Sequence, residues 1–303
     1  MAQGDRGYAM LEGRGVLAVG GAERVEFLQG LVTNDMRRAG PDRAVWSALL
    51  TPQGKYLHDF LVVGLGETLL LDCEAERRDD LMRRLKIYRL RAKVTIEDVT
   101  ATLTVAAAFG QGAAEALGLP AEEPGAARPL DAGIAFVDPR LPALGARAIL
   151  PREEATTALA AAGLPALPAD RWQELRLRLG VPEGSGDMEV EKAILLENGF
   201  DALDGVAWDK GCYVGQELTA RTRYRGLVKK RLVPVRVEGP MPPPGTPVTL
   251  GGRDAGQLRA GLGDRALALL RIEELDRLAE EGGELTAGEA RLHPERAAWN
   301  TRL

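Results

Sequence analysis

The sequence predicts an α+β fold: a core of two similar halves with antiparallel sheets, followed by a small C-terminal β-barrel. Three observations carry this expectation. Strand and helix patterns alternate twice through the first three quarters of the chain. Hairpin turns such as Thr51-Pro52-Gln53-Gly54 recur between apolar runs, a mark of antiparallel pairing. After Arg231 the texture shifts to short apolar runs between glycine- and proline-rich turns, the pattern of a small barrel. The expected domains are 1–230 for the core, with halves of approximately 1–98 and 99–230, and 231–303 for the barrel.

Taken in order, residues 16–19 alternate as a short strand, and Val25, Leu28 and Val32 recur at helical spacing over 22–32, closed by Thr33-Asn34-Asp35. The runs 45–50 and 56–63 flank the hairpin turn. A strand at 68–72 leads into a helix over 77–89 with Leu81, Leu85 and Tyr88 on one face, and 93–97 returns as a strand. The second half begins with a strand at 101–108 and a short helix near 113–117. Strands near 133–137 and 146–150 follow, then a helix over 153–162 stopped by Gly163. The segment LGLPAEEPGAARP reads as a surface connection. Asp170 is placed to cap a helix carrying Trp172, Leu175 and Leu179, ended by Gly180 and Pro182. In the last domain, 232–237, 248–250, 258–262, 266–272 and 285–287 are strand candidates, with one helix at 273–281.

Composition excludes several chemistries. The chain has 303 residues, 45% hydrophobic and 27% charged, enough for substantial cores without disulfides. With two histidines, His58 and His293, and two cysteines, Cys73 and Cys212, it has no zinc-ligand spacing. Nor does it supply the four cysteines of an iron–sulfur cluster. Neither Ser47 nor Ser185 sits in a nucleophile elbow. Gly54-Lys55 lacks the rest of a phosphate loop, and Gly20-Gly21 lacks the dinucleotide fingerprint. A net charge of −5 with few aromatics argues against a general nucleic-acid binder. The opening MAQGDRGYAMLEGRGVLAVGG lacks the apolar core of a signal peptide, and no run is long enough to span a membrane. The expected compartment is the cytoplasm, where both thiols stay free.

The densest chemistry lies between Asp209 and Arg231, DKGCYVGQELTARTRYRGLVKKR. Gly211 and Gly215 bracket Cys212 and suggest a tight loop that displays the thiol. Lys210 and the nearby arginines favour the thiolate, which attacks electrophiles and binds metal. A buried cysteine acting as a small hydrophobe is the alternative. Lys210, Arg221, Arg223, Arg225, Lys229, Lys230 and Arg231 together form a basic cluster in an acidic protein, either suited to an anionic ligand or simply a solvated basic loop. A second basic run, RRLKIYRLRAK, is either a solvated helix face or a place where Lys86, Tyr88 and Arg89 turn toward such a ligand.

The run KGCYVGQELTAR, preceded by RLRLGVPEGSGDM and LLEN, resembles the signature of the YgfZ-type folate-binding proteins, and FLQGLVTND resembles that family's opening motif. The likeness is greatest to the family's mitochondrial-type branch and follows the motif order over residues 11–272. It implies an aminomethyltransferase-like folate-binding fold in a ring-like arrangement, with tetrahydrofolate in the central cavity and a role in iron–sulfur protein assembly. It also implies a site of Cys212 as the reactive group, with Lys210, Gly211, Tyr213, Gly215, Gln216, Glu217, Arg221, Asp59, Tyr88 and Arg89 around the ligand. Cys212 would serve in thiol exchange or as one ligand of a cluster shared with a carrier or client protein. The expected small-molecule partner is folate, in particular its polyglutamylated form. Two other readings stand beside this one: a folate-dependent aminomethyltransferase, and an adaptor for a cluster carrier without folate chemistry. Against the transferase, the expected aspartate pair reads His58-Asp59, and Arg178 stands where a pterin-holding glutamate is expected.

Overall fold

The computed structural model describes residues 6–297 and 299–300; the outermost parts of the two expected domains, 1–5 and 301–303, lie outside the described residues. The chain divides into two compact units. The first comprises Met1–Leu50, Leu57–Trp172 and Asp204–Val214, and the second Thr51–Tyr56, Gln173–Leu203 and Gly215–Leu303.

The elements of the first unit are β1 (Gly7–Met10), β2 (Arg14–Gly20), α1 (Arg24–Gln29), β3 (Val45–Leu50), β4 (Tyr56–Leu65, whose first residue belongs to the second unit), β5 (Thr68–Glu74), α2 (Arg78–Arg89), β6 (Thr95–Asp98), β7 (Leu103–Phe109), α3 (Ala113–Ala116), β8 (Ala127–Leu130), β9 (Gly133–Val137), β10 (Ala146–Pro151) and α4 (Ala155–Ala161). They form two five-stranded sheets, ordered β3-β4-β5-β2-β6 and β1-β7-β10-β9-β8. Strand β4 is buried along almost its whole length, so apart from His58 and Asp59 it reads as a continuous apolar run and not as an alternating one. Its pairing with β5, from Phe60↔Cys73 to Leu65↔Thr68, is closed by a two-residue turn in which Gly66 adopts positive φ. In the other sheet, Ala106 and Ala108 of β7 pack with Leu117, Leu159 and Leu164 from the covering helices and loops.

Several expectations shift at this level. The strand β1 carries no clear alternation and is absent from the sequence reading; it pairs antiparallel with β7. The segment expected as a surface connection contributes the edge strand β8, antiparallel to β9. Pro129 is tolerated there because an edge strand has one side without a ladder partner. Helix α1 is shorter than the 22–32 periodicity suggests, since the chain turns at Gly30 to bring Thr33 beside β3.

The chain passes between the units along α5 (Ala169–Leu179), and Asp170 lies inside its first turn, where a carboxylate complements the helix dipole, and not at a cap. The second unit continues with α6 (Gly184–Asp187), α7 (Gln216–Tyr224), β11 (Lys230–Glu238), β12 (Pro247–Leu250), β13 (Arg253–Leu262), β14 (Arg265–Arg271), α8 (Ile272–Glu281), β15 (Leu285–Ala287) and β16 (Ala290–Pro294). The six strands close into a barrel ordered β11-β14-β13-β12-β15-β16, with β11 pairing both β14 and β16. Inside it lie Val233, Val235, Val248, Leu258, Leu270 and Leu292. Strand β13 starts earlier than expected and β16 was not anticipated, because their outward residues are polar and mask the apolar alternation. The expected α+β class, antiparallel sheets and C-terminal barrel are all present.

Between the two sheets of the first unit runs a chain of buried charges. Arg14 of β2 donates from Nε to Asp72 Oδ1 of β5 at 2.6 Å, and Arg147 of β10 donates from Nη1 to Asp72 Oδ2 at 2.7 Å. Arg147 Nε also lies 3.5 Å from Asp138 Oδ2, and Asp138 takes two side-chain bonds from Arg140 at 2.7 and 2.9 Å. All five side chains are buried. Burial alone would raise the Asp138 pKa, but Arg140 and Arg147 hold it below its ordinary value. Trp172 lies under the Arg147 guanidinium at 4.9 Å, and Trp46 of β3 faces Arg140 at 5.8 Å.

Asp72→Asn leaves two guanidiniums without their shared counter-charge. The expected cost is about 3–5 kcal/mol, read as a lower urea midpoint; a loss below about 1 kcal/mol would show that the network does not hold the sheets together.

Candidate functional site

The site is built from the turn after α1 outward. Thr33, Asn34 and Ser47 are fully buried. Thr33 Oγ1 donates to Gly205 O at 2.7 Å and accepts from Ala48 N, while the Thr33 carbonyl accepts from Ala207 N. Asn34 Nδ2 donates to Trp46 O at 2.7 Å and to Asp204 O at 2.6 Å, and Asn34 N donates to Ser47 Oγ. The short polar side chains Thr33 and Asn34 thus stitch 204–207, distant in sequence, onto β3. The sequence reading treats Thr33-Asn34-Asp35 only as the close of a helix and gives no role to Ser47 or Trp46; a polar triplet closing an apolar helix was the available signal.

Lys210 completes the stitching. It is buried, and its Nζ donates to Val32 O and Asn34 O, both at 2.7 Å, with the Tyr213 ring 5.2 Å away. Burial lowers its pKa from 10.5 to about 8, against the pull of Asp35. This cation is therefore held by backbone carbonyls of its own unit, unlike the exposed arginines with which the sequence grouped it. Two residues on, Cys212 is exposed and Tyr213 is buried. The loop is pinned on both sides of a free thiol. Gly211 needs no special conformation, and a Cβ there would meet nothing. Gly215 does: its φ of 80° turns the chain into α7.

From Gln216 onward the expected loop is helical, and its residues belong to the second unit. Glu217 and Arg221 are exposed and pair with each other at i,i+4, 2.6 Å apart. The turn that ends in Gly54, with φ 72°, packs against the start of α7, where a Cβ would come within 2.8 Å of Leu218 and 2.9 Å of Gly215 O. Arg223, Arg225 and Lys229 are exposed, whereas Arg231 is buried and donates to Leu196 O and Asp201. The basic cluster is therefore divided: Lys210 and Arg231 are structural donors, Lys230 is half-buried at the start of β11, and Arg221, Arg223, Arg225 and Lys229 are exposed.

The other expected residues sit elsewhere. Asp59 on β4 is buried and accepts from Trp46 Nε1 at 3.1 Å. Its neighbour His58 donates from Nε2 to Asp80 at 2.9 Å, and burial lowers its pKa to about 4, so it is neutral near pH 7. Tyr88 and Arg89 lie exposed on the last turn of α2, and Arg178 is exposed on α5. Cys73 is the opposite of Cys212: buried on β5, its thiol is pushed up to about 12 by burial. Among the described residues no group of three or more His, Cys, Asp or Glu side chains is placed to hold a metal. No helix there is long and apolar enough to cross a membrane.

Comparison with known proteins was informative at two scales. Residues 229–302 match the family model described as CAF17, C-terminal beta-barrel domain. Over 290 residues the chain is 34% identical to the mitochondrial iron–sulfur cluster assembly factor IBA57 of Mus musculus, covering 88% of this chain and 77% of that protein. The Homo sapiens protein of that name is 36% identical over 287 residues with the same coverage. A homologue from Neosartorya fischeri is 31% identical over 314 residues, covering 88% of this chain and 70% of that one. In three dimensions the chain is similar to the glycine cleavage system aminomethyltransferase T from Bartonella henselae, with a TM-score of 0.74 at 16% identity over 99% of this chain and 88% of that one. The aminomethyltransferase-like fold expected from the sequence is thereby shown.

Two outcomes follow from the loop geometry. Iodoacetamide should label Cys212 alone in the native protein and Cys73 only after denaturation, as mass spectrometry would show; equal labelling would contradict the burial of Cys73. Lys210→Met should cost about 2 kcal/mol by leaving two buried carbonyls unsatisfied. Because the folded amine releases its proton near 8 and the unfolded one near 10.5, the unfolded chain binds the extra proton in that window. The stability advantage of wild type over Lys210→Met should therefore widen as pH rises from about 8 to 10.5; urea titrations at the two ends would test it, and a narrowing gap would refute it.

Proposed function

The chain belongs to the family of the IBA57 iron–sulfur cluster assembly factors, and from that premise we propose that it acts in the assembly or maintenance of iron–sulfur enzymes, binding tetrahydrofolate and presenting Cys212 to a partner. The relatives' names supply the process. The observation that carries the residue assignment is the exposed Cys212 on a loop whose two sides are fixed by Lys210 and Tyr213. A fixed loop offers its thiol at low entropic cost, as an exchange nucleophile or as one soft ligand to a cluster in transit. Since the described residues gather no metal-binding group of their own, a cluster handled here is cargo whose remaining ligands come from the carrier or client protein.

The folate reading draws support from the fold shared with an aminomethyltransferase and from the exposed cations of α7 and its C-terminal extension. Arg223, Arg225 and Lys229 suit the carboxylates of a polyglutamate tail. The ring end of the ligand has less to recommend it. Arg178 is a cation where a carboxylate is expected, and Asp59 already holds Trp46. With His58 neutral and donating to Asp80, and with the exposed Arg178 offering no carboxylate to a pterin ring, the two positions that differ from the transferase pattern favour binding over group transfer. Two free thiols suit a reducing compartment, in our reading the cytoplasm, while the named relatives are mitochondrial.

Cys212→Ser should leave the urea midpoint and folate affinity unchanged while lowering the activity of iron–sulfur enzymes in a cell that depends on this protein; Cys73→Ser should leave that activity intact. Full activity of Cys212→Ser would remove the thiol from the mechanism. In calorimetry, polyglutamylated tetrahydrofolate should bind more tightly than the monoglutamate at low salt, and the advantage should shrink as charges are screened over about 8 Å at physiological ionic strength. Equal affinities would sink the assignment of the tail to the basic segment, and absence of binding to either would leave an adaptor without folate chemistry.

A further inference from the structure

The large hydrophobic side chains exposed among the described residues are Ile87, Tyr88, Leu90, Tyr224 and Leu227. They fall in two stretches of sequence, 81–96 and 218–237, that contain no Asp or Glu although the chain as a whole is acidic. Each stretch therefore joins bare apolar groups to positive charge, and the first adds a third feature.

The end of α2 is a run of exposed residues from Lys86 to Arg91. Arg83 and Arg84 are held by Asp80. Lys86, Arg89, Arg91 and Lys93 make no ion pair among the described residues and stay available to an outside anion. At the tip, Ala92 N donates to Arg89 O at 2.7 Å, closing a turn whose first central residue, Leu90, has φ 43° and ψ −106°. That is the left-handed position of a type II′ turn, which glycine fills without strain. Here it carries a leucine that is 87% exposed. The side chain strains the backbone and gains no packing in return, the signature of a residue kept for an external contact.

We propose that the C-terminal end of α2 is a docking surface for a partner protein, with Leu90, flanked by Ile87 and Tyr88, entering an apolar cup rimmed by carboxylates. Charge complementarity selects that occupant: Lys86, Arg89, Arg91 and Lys93 surround the apolar group, and a protein surface of Asp and Glu around a hydrophobic recess answers both features. Tyr and Arg are also the residue types that most often anchor such contacts. The surface is separate from the Cys212 loop and stands whether or not the thiol handles clusters.

Leu90→Gly separates docking from folding, because it removes the anchor and relieves the turn. The test uses the full chain and a fluorescent peptide in which Leu and Phe alternate with Glu, read by anisotropy, with polyglutamate of equal charge as the control. Wild type should bind the amphipathic peptide more tightly than polyglutamate, and Leu90→Gly should weaken that binding about tenfold while raising the melting temperature. Arg89→Glu combined with Arg91→Glu should abolish it at low salt. Unchanged affinity for Leu90→Gly, or equal binding of polyglutamate, would overturn the proposal in favour of diffuse charge attraction. Leu90-dependent binding to phosphatidylglycerol vesicles without peptide binding would assign the surface to a lipid headgroup layer instead. Self-association of the protein alone that Leu90→Gly abolishes would assign it to a second copy of the chain.

Discussion

Burying Arg14, Asp72, Arg147, Asp138 and Arg140 together imposes a condition that the rest of the first unit must satisfy: every charge has to meet its opposite in one geometry. Desolvating each ion costs several kcal/mol, recovered only when partners align. A slip of one residue in β10 would turn Arg147 to the other face of its sheet and leave Asp72 with Arg14 alone and Asp138 with Arg140 alone. Apolar contacts among alanines and leucines accept many small displacements; this network accepts very few. It selects one packing of the two sheets even where it adds little net stability.

Trp46 transmits that selection to the candidate site. Its ring faces Arg140, its Nε1 holds Asp59, and its carbonyl accepts from Asn34. Asn34 in turn fastens Asp204, and its carbonyl receives Lys210. A continuous path of charge, ring and hydrogen bonds therefore leads from the interior of the sheets to the loop that carries Cys212. The exposed thiol is held by groups that are themselves over-determined, as a site on a loop requires if its position is to be reproducible.

Much of the architecture was readable because period-2 runs separated by Gly, Pro and Asn turns leave little choice of element. The losses have physical causes. Strand β1, GYAM, is too short to show a period, and β8 is disguised by Pro129. Helix α7 begins directly after Gly215 and reads as loop because its composition, QELTARTRY, is polar on most sides. The contrast between the two cysteines was readable from context, a strand for Cys73 and a polar glycine-rich run for Cys212. The role of Lys210 was not: its partners Val32 O and Asn34 O are 178 and 176 residues away, and backbone carbonyls have no sequence signature. A lysine beside a cysteine looks like an activator of the thiol, and only the fold shows its ammonium turned inward.

The same contrast explains how cations should be read throughout this chain. Arg14, Arg147, Arg176 and Arg231 are buried and matched to carboxylates, Arg176 to Asp187 at 2.5 Å, so their charge is spent within the fold. Those at 86–93, and Arg223, Arg225 and Lys229, face solvent in stretches free of Asp and Glu. At the second set Leu90 occupies a glycine position and Tyr224 lies 77% exposed. A sequence consistent at every level has no reason to leave such groups uncovered. Their concentration in two basic stretches therefore points outward, to contacts that the isolated chain does not make for itself.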